Sequence, residues 1–340
     1  MTATLVTSDL HLAESPRDSY RLRWFEQLPA LAQEHGVDRV LVLGDVTEVK
    51  EGHRAGLVNA VVDGFAALAA VAQVYVLRGN HDYVAEDVPF FKFLSRVPRV
   101  RWVNEPALLR LRGLDSCLLL PHCRDPAAEW AGVDMRADWI FAHQTFEGSD
   151  AGRGHKLSGI SRGIFPKGAR VVSGDVHLPQ QLGAVTYVGA PYHVTFGDEY
   201  EPRVLLLEGS KMRSVPTAGP QKRLITTSGR DPLGALDVAH PLKVISPLNR
   251  GDMVKVRIEL PAGTDVSRAQ ARQRAREWAD AAGVELQAVQ ITAPAAGPAK
   301  IAARTRGRAP DPDLVRAYAK KMKKGKITLA AGLKIAEEVP

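Results

Sequence analysis

The residues of this 340-residue chain that could do chemistry fall into five short clusters. Asp9-Leu10-His11 comes first, then Gly44-Asp45, Gly79-Asn80-His81-Asp82, His143 and Gly174-Asp175-Val176-His177. Together they offer imidazole, carboxylate and amide oxygen and no thiolate. That donor set suits one or two divalent cations of the Mn, Fe or Zn kind. Singly the clusters say little, because a Gly-Asp is usually a turn and an Asp-x-His can be a hydrogen-bonded surface pair. The tetrad at 79–82 is the most specific, and the order of all five carries the reading.

The elements that must position these residues are legible from apolar runs. Strands are expected at 4–7, 39–43, 73–77, 116–120, 139–142, 170–173, 185–188 and 203–207, with helices at 19–35 and 53–72. Near-continuous apolar strands alternating with helices are the pattern of an α/β fold with buried sheets, and the later, helix-poor strands point to a second sheet packed on the first. Each cluster directly follows one of these strands. In open α/β sheets ligands bind at the carboxyl ends of strands, so neighbouring strands would bring the five clusters to one edge.

In this order the clusters resemble the calcineurin-like metallophosphoesterases, whose pattern is Asp-x-His, Gly-Asp, Gly-Asn-His-Asp/Glu, His and Gly-His-x-His. The resemblance covers residues 3 to about 208. The Gly-Asn-His-Asp form and the stretches Tyr187-Val188-Gly189-Ala190-Pro191-Tyr192 and Phe196-Gly197-Asp198 are similar to the SbcD-type DNA exonuclease branch, which includes bacteriophage members. The resemblance implies a two-sheet sandwich flanked by helices. It also implies two divalent metal ions, Mn²⁺ foremost with Mg²⁺, Fe²⁺ or Zn²⁺ as alternatives. Asp9, His11, Asp45 and His177 would hold the first ion. Asp45 would bridge to the second, held also by Asn80 and His143. His81 would stand beside the leaving group as general acid or charge stabiliser, with Asp82 or Glu48 orienting it. One position departs from the pattern: Asp175 stands where the family has the first His of Gly-His-x-His. An oxygen ligand there would make the second site harder and favour Mn²⁺ or Mg²⁺ over Zn²⁺; a weak second site is the alternative.

Three further histidines, His122, His155 and His193, follow a strand or lie on loops near the motifs and are candidates for contact with substrate or phosphate. His35, His53 and His240 read as surface or capping residues, Cys117 as strand core and Cys123 as a loop thiol.

The chain divides, on this reading, into a catalytic domain at 1–213, a Pro/Gly-containing linker at 214–241, a small β–α–β accessory domain at 242–298 and a basic helical tail at 299–340. In the accessory domain Ser267 is the expected N-cap of a helix that Gly283 ends. The domain sits where the SbcD-type branch has its DNA-contacting cap. The net charge is +7, of which +8 lies between residues 300 and 326, so the rest of the chain sums to −1. A polyanion partner or a solvated helix face accounts for that segment equally well. Tail helices are expected to begin near Asp311 and Lys326.

Composition excludes other classes. At 45% hydrophobic and 24% charged residues the chain has material for a packed core and is not disordered throughout. Two cysteines exclude a disulfide scaffold. The start has no signal-peptide pattern, and the most hydrophobic window, 57–76, is interrupted by Asn59, Asp63 and Gln73, so a cytoplasmic protein without a membrane span is expected. The leading functional expectation is a metal-dependent DNA nuclease acting in repair, recombination or phage DNA processing, as a homodimer with an SbcC-type coiled-coil ATPase. The alternatives are a small-molecule phosphoesterase and a catalytically silent scaffold. A protein phosphatase is disfavoured by Glu48 and Asp82, where that class has Gly-Asp-x-x-Asp-Arg-Gly and Gly-Asn-His-Glu.

Overall fold

The structure is a computed structural model and describes residues 2–85, 88–229, 231–236 and 248–292. The basic tail, its two expected helices and His240 lie outside the described residues. Residues up to Glu259 with Val266–Ile291 form one compact unit. Leu260–Asp265 and Thr292 belong to a second, in which the Leu260 amide donates to the Thr292 carbonyl at 2.8 Å.

The chain begins with β1 (Ala3–Thr7), a short 3-10 turn at Ser19–Arg23, α1 (Trp24–Glu34), β2 (Val37–Val42), α2 (Ala55–Val71), β3 (Gln73–Leu77) and β4 (Val100–Val103). Then come β5 (Ala107–Leu111), β6 (Asp115–Leu120), the single turn α3 (Pro126–Glu129), β7 (Trp139–His143), β8 (Arg170–Gly174), β9 (Gln180–Leu182) and β10 (Val185–Tyr187). The hairpin β11 (Arg203–Glu208) and β12 (Lys211–Pro216) leads to β13 (Lys222–Thr227), β14 (Met253–Glu259), α4 (Arg268–Ala282) and β15 (Glu285–Thr292). One six-stranded sheet has the order β12-β11-β1-β2-β3-β4 and the other β5-β6-β7-β8-β10-β9. In the first, β1 to β4 run parallel; in the second, β6, β7, β8 and β10 do.

Alternation along the strands explains why they read as apolar throughout. Val6, Leu41, Leu77, Leu119, Phe141, Val172 and Leu205 meet in the core between the two sheets. Their neighbours on the other face, such as Leu5, Val40 and Val76, pack against Phe25, Leu28, Phe65 and Leu68 of α1 and α2. Leu118, Leu120, Ile140 and Val171 face a third cluster with Phe146 and Tyr187. Strands covered on both faces carry apolar residues at every position. The result is the two-sheet α/β sandwich flanked by helices that was expected.

The stretch expected as a linker differs. Residues 211–216 complete the first sheet, and β13 at Lys222–Thr227 pairs in parallel with β14. The accessory sheet therefore has three strands, β13-β14-β15, and starts before residue 242. Pro216, Gly219 and Pro220 are real breakers, yet they separate strands rather than domains. Ile225 and Thr227 alternate inward along β13, while the basic start Lys222-Arg223 masked its strand character. On α4 the reading holds. Ser267 and Gln270 form a reciprocal capping box, and Gly283 ends the helix at φ 68°.

Candidate metal centre

The parallel strands of both sheets end at one rim, and the chain turns sharply there. Asp9, His11, Asp45 and Asp175 have φ of 55°, 41°, 55° and 79°, left-handed values that cost a non-glycine residue energy. Strain of this kind collects at functional sites, where the surrounding structure holds it. Two glycines make the close approach possible. A Cβ on Gly44 would lie 2.5 Å from His143 Nδ1, and one on Gly79 would lie 2.3 Å from Asp45 Oδ1. The turns after β2 and β3 interlock only because both side chains are absent.

Seven of the expected ligands converge at this rim. His11 Nε2 lies 3.0 Å from His177 Nε2 and 3.4 Å from Asp45 Oδ2. Asp9 completes this group, its Oδ1 accepting from the Asp175 amide at 3.0 Å. On the other side, His143 Nε2 lies 3.3 Å from Asp45 Oδ1, 3.2 Å from Asn80 Oδ1 and 3.7 Å from Asp175 Oδ1. His143 Nδ1 donates to the Leu43 carbonyl, which leaves the Nε2 lone pair free for a ligand. Asp45 thus turns one oxygen to each group.

The donor set fits a pair of divalent cations. Asp9 Oδ2 is buried and has no hydrogen-bond partner among the described residues, an arrangement that costs energy unless a ligand compensates it. Burial, with the Arg21 guanidinium nearby, holds the His11 imidazole well below its ordinary pKa despite Asp45, so its ring is neutral, as a metal ligand must be. Asp45 and His143 hold each other charged: burial opposes this on both, and their mutual attraction overcomes it, lowering one pKa and raising the other. A cation taking the place of the His143 proton is ordinary metal-for-proton exchange.

The remaining expected site residues behave differently. Asp82 does not orient His81. Its carboxylate accepts from the amides of Asp45, Val46 and Gly79 at 2.9, 2.9 and 2.7 Å and so ties the β2 turn to the β3 turn. Burial and nearby Asp45 push its pKa up to about 6. The Glu48 side chain does not reach His81 either; it accepts from Arg21 at 2.7 Å and stands 3.7 Å from His11 Nδ1. The Glu48 main-chain carbonyl is what orients His81, accepting from its Nδ1 at 2.7 Å. His81 Nε2 is left to face the centre, and His81 lies close enough to His11 and Asp45 to share an ion with them.

His122 lies beside the centre, its ring centroid 6.1 Å from that of His143 and its Nδ1 2.9 Å from the Tyr83 hydroxyl. Burial and His143 push its pKa down to about 3. The structure does not bring His155 in: it is exposed on the 151–157 loop, where its main chain pairs with Ala151 and Gly152. His193 is buried, with its ring nitrogens 2.7 and 3.2 Å from the Tyr200 and Lys222 carbonyls, and has no nitrogen to offer a substrate. Sequence reasoning missed Arg21, Thr145, which donates to Asp175 Oδ2, and Tyr83. None sits in a motif, and Arg21 lay inside the helix expected at 19–35.

Residues 2–123 match the family described as calcineurin-like phosphoesterase. A curated relative, exonuclease subunit 1 of Enterobacteria phage T4, is 23% identical over 215 residues, covering 57% of this chain and 61% of its own length. Among solved structures, a nuclease MPE of Pseudomonas putida is similar at 18% identity, TM-score 0.34, over 62% of this chain and 87% of that one. A dimetal phosphatase of Danio rerio is similar at 10% identity, TM-score 0.39, over 64% and 99%. Among the described residues no helix is long and apolar enough to cross a membrane.

Proposed function

Because this chain carries a calcineurin-like metallophosphoesterase domain, we propose that it is a two-metal phosphodiesterase whose substrate is DNA. The single observation that carries the two-metal part is Asp45, with one oxygen 3.4 Å from His11 and the other 3.3 Å from His143. In this reading Asp9, His11, Asp45 and His177 hold one ion, and Asp45, Asn80, His143 and Asp175 hold the other. Such a pair supplies a water of lowered pKa and positive charge at both reacting oxygens of an in-line displacement. The chain's own residues do the rest. As ligands, the imidazoles of His11 and His177 would bring no negative charge and so would not cancel the positive charge that attracts phosphate. His81, its Nδ1 held by the Glu48 carbonyl, presents Nε2 and, as imidazolium, donates a proton from it to the departing oxygen. Asp82 takes no part in the proton transfer and keeps the Asp45 and Asn80 turns in register.

DNA as substrate is supported by the T4 relative's name, by the basic segment at 300–326, and by Arg268, Arg272 and Arg276, exposed at i, i+4 spacing on α4. A homodimer and a coiled-coil ATPase partner belong to the same reading, with Leu314, Tyr318, Leu329 and Leu333 as the tail residues that would dock the partner. A cavity of about 420 Å³, lined by Asp175 and His177 together with Arg153 and Tyr200, favours a second reading, a nucleotide phosphoesterase. Hydrolysis assayed with Mn²⁺ on linear duplex DNA, single-stranded DNA, bis-p-nitrophenyl phosphate and mononucleotides separates the two. DNA cleavage supports the first; turnover of the small substrates with intact DNA contradicts it.

Asp175 is proposed to coordinate through oxygen. Asp175→Ala is then expected to weaken the second ion by at least about tenfold, the scale on which even outer-sphere partners matter. Asp175→His should retain hydrolysis and shift preference towards Zn²⁺. Unchanged metal stoichiometry and rate in Asp175→Ala would show that this position is no ligand.

A further inference from the structure

Beside the candidate metal centre lies a set of charges that no catalytic step uses, built on two buried cations, Arg21 and Lys222. Arg21 donates from Nη1 to the His11 carbonyl at 2.6 Å and to Glu48 Oε2 at 2.7 Å. From Nη2 it donates to Asp18 Oδ1 and to the Val194 carbonyl, both at 3.1 Å. Lys222, the first residue of β13, donates from Nζ to the same two acceptors, Asp18 Oδ1 at 2.5 Å and the Val194 carbonyl at 3.0 Å. Two cations from different parts of the chain thus share one carboxylate and one carbonyl.

The position of Lys222 is the telling fact. It is 3% exposed, and burying an ammonium is costly unless it is paired. A three-stranded sheet needing only attachment could be held by apolar contacts at no such cost. Arg21 is equally placed with purpose. Through Glu48 it reaches both histidines of the centre, since the Glu48 carboxylate stands 3.7 Å from His11 Nδ1 and its carbonyl holds His81 Nδ1 at 2.7 Å.

We propose that Arg21 is a positioning residue of the metal centre, acting on His11 and His81 through Glu48, and that Lys222 ties the accessory sheet into that support through Asp18. The accessory sheet is then a working part of the centre, so that a shift of β13 loosens His11 and His81. This rests on the metal-binding part of the proposed function and not on DNA being the substrate. Breaking the tie alters the site even for a substrate too small to touch the accessory sheet.

The test uses the full chain and two readouts, Mn²⁺ affinity by calorimetry and hydrolysis of bis-p-nitrophenyl phosphate. Lys222→Met keeps the aliphatic stem and removes the ammonium. It is expected to weaken Mn²⁺ binding and lower kcat by about three- to tenfold with KM unchanged, below the 10–100-fold typical of groups that touch a ligand directly. In a cycle with Glu48→Gln the losses should be non-additive, the double variant falling little below the worse single one, because both changes cut the same chain. A merely structural Lys222 would give additive losses, and that result overturns the proposal. So does a folded Lys222→Met protein whose Mn²⁺ affinity stays within about twofold of the parent. If Lys222→Met does not fold, Asp18→Asn decides by the same criteria. Should the parent hydrolyse no diester, the proposed function fails, while the Mn²⁺ affinities still decide this proposal.

Discussion

The Asp45→Asn protein is expected to lose Mn²⁺-dependent hydrolysis to background and to bind at least about 100-fold less tightly at both sites, since a shared ligand outweighs the 10–100-fold of an outer-sphere group. Asparagine is the informative replacement. It keeps the shape of the side chain and tolerates the left-handed backbone at φ 55°, where alanine adds strain. What it removes is the negative charge, which the buried His143 imidazolium stabilises in the folded protein. Calorimetric Mn²⁺ titration beside diester hydrolysis reads both effects. Parental affinity and rate in Asp45→Asn would mean that the two histidine groups do not share a bridging carboxylate.

His81→Ala should separate coordination from catalysis. Losing a general acid typically costs about 10²–10⁴-fold in turnover. The ligand groups built on Asp9, His177 and His143 do not require His81, so Mn²⁺ affinity should stay near the parent value while kcat falls on that scale. The structure makes the opposite result meaningful, because His81 shares a possible ion position with His11 and Asp45. Loss of metal together with rate in His81→Ala would make His81 a ligand and leave proton donation to another group.

Much of the fold was legible because its strands are buried on both faces. Runs such as Val40-Leu41-Val42 and Cys117-Leu118-Leu119-Leu120 have no polar position to confuse with a helix or a loop. The accessory strand β13 was not, since its opening Lys222-Arg223 is polar and Lys222 is buried against long-range partners, Asp18 and the Val194 carbonyl. The candidate metal donors were legible for the same reason the strands were, as each follows one directly. Orientation was not. That the Glu48 carbonyl rather than a side chain holds His81, and that Asp82 clamps two turns, are facts of backbone placement with no side-chain signature. His193 shows the limit from the other side: a histidine on a loop between motif-like stretches reads as substrate-facing, and only its two carbonyl neighbours reveal a structural role.

The number of ions the centre needs is the most direct test of a bridging role for Asp45. Metal-stripped protein titrated with Mn²⁺, with metal content and bis-p-nitrophenyl phosphate hydrolysis followed in the same samples, measures this. Two ions per chain are expected, with hydrolysis negligible at the first equivalent and rising as the second binds. Full hydrolysis at one ion per chain, or hydrolysis persisting in the stripped protein, would contradict a two-metal centre bridged by Asp45.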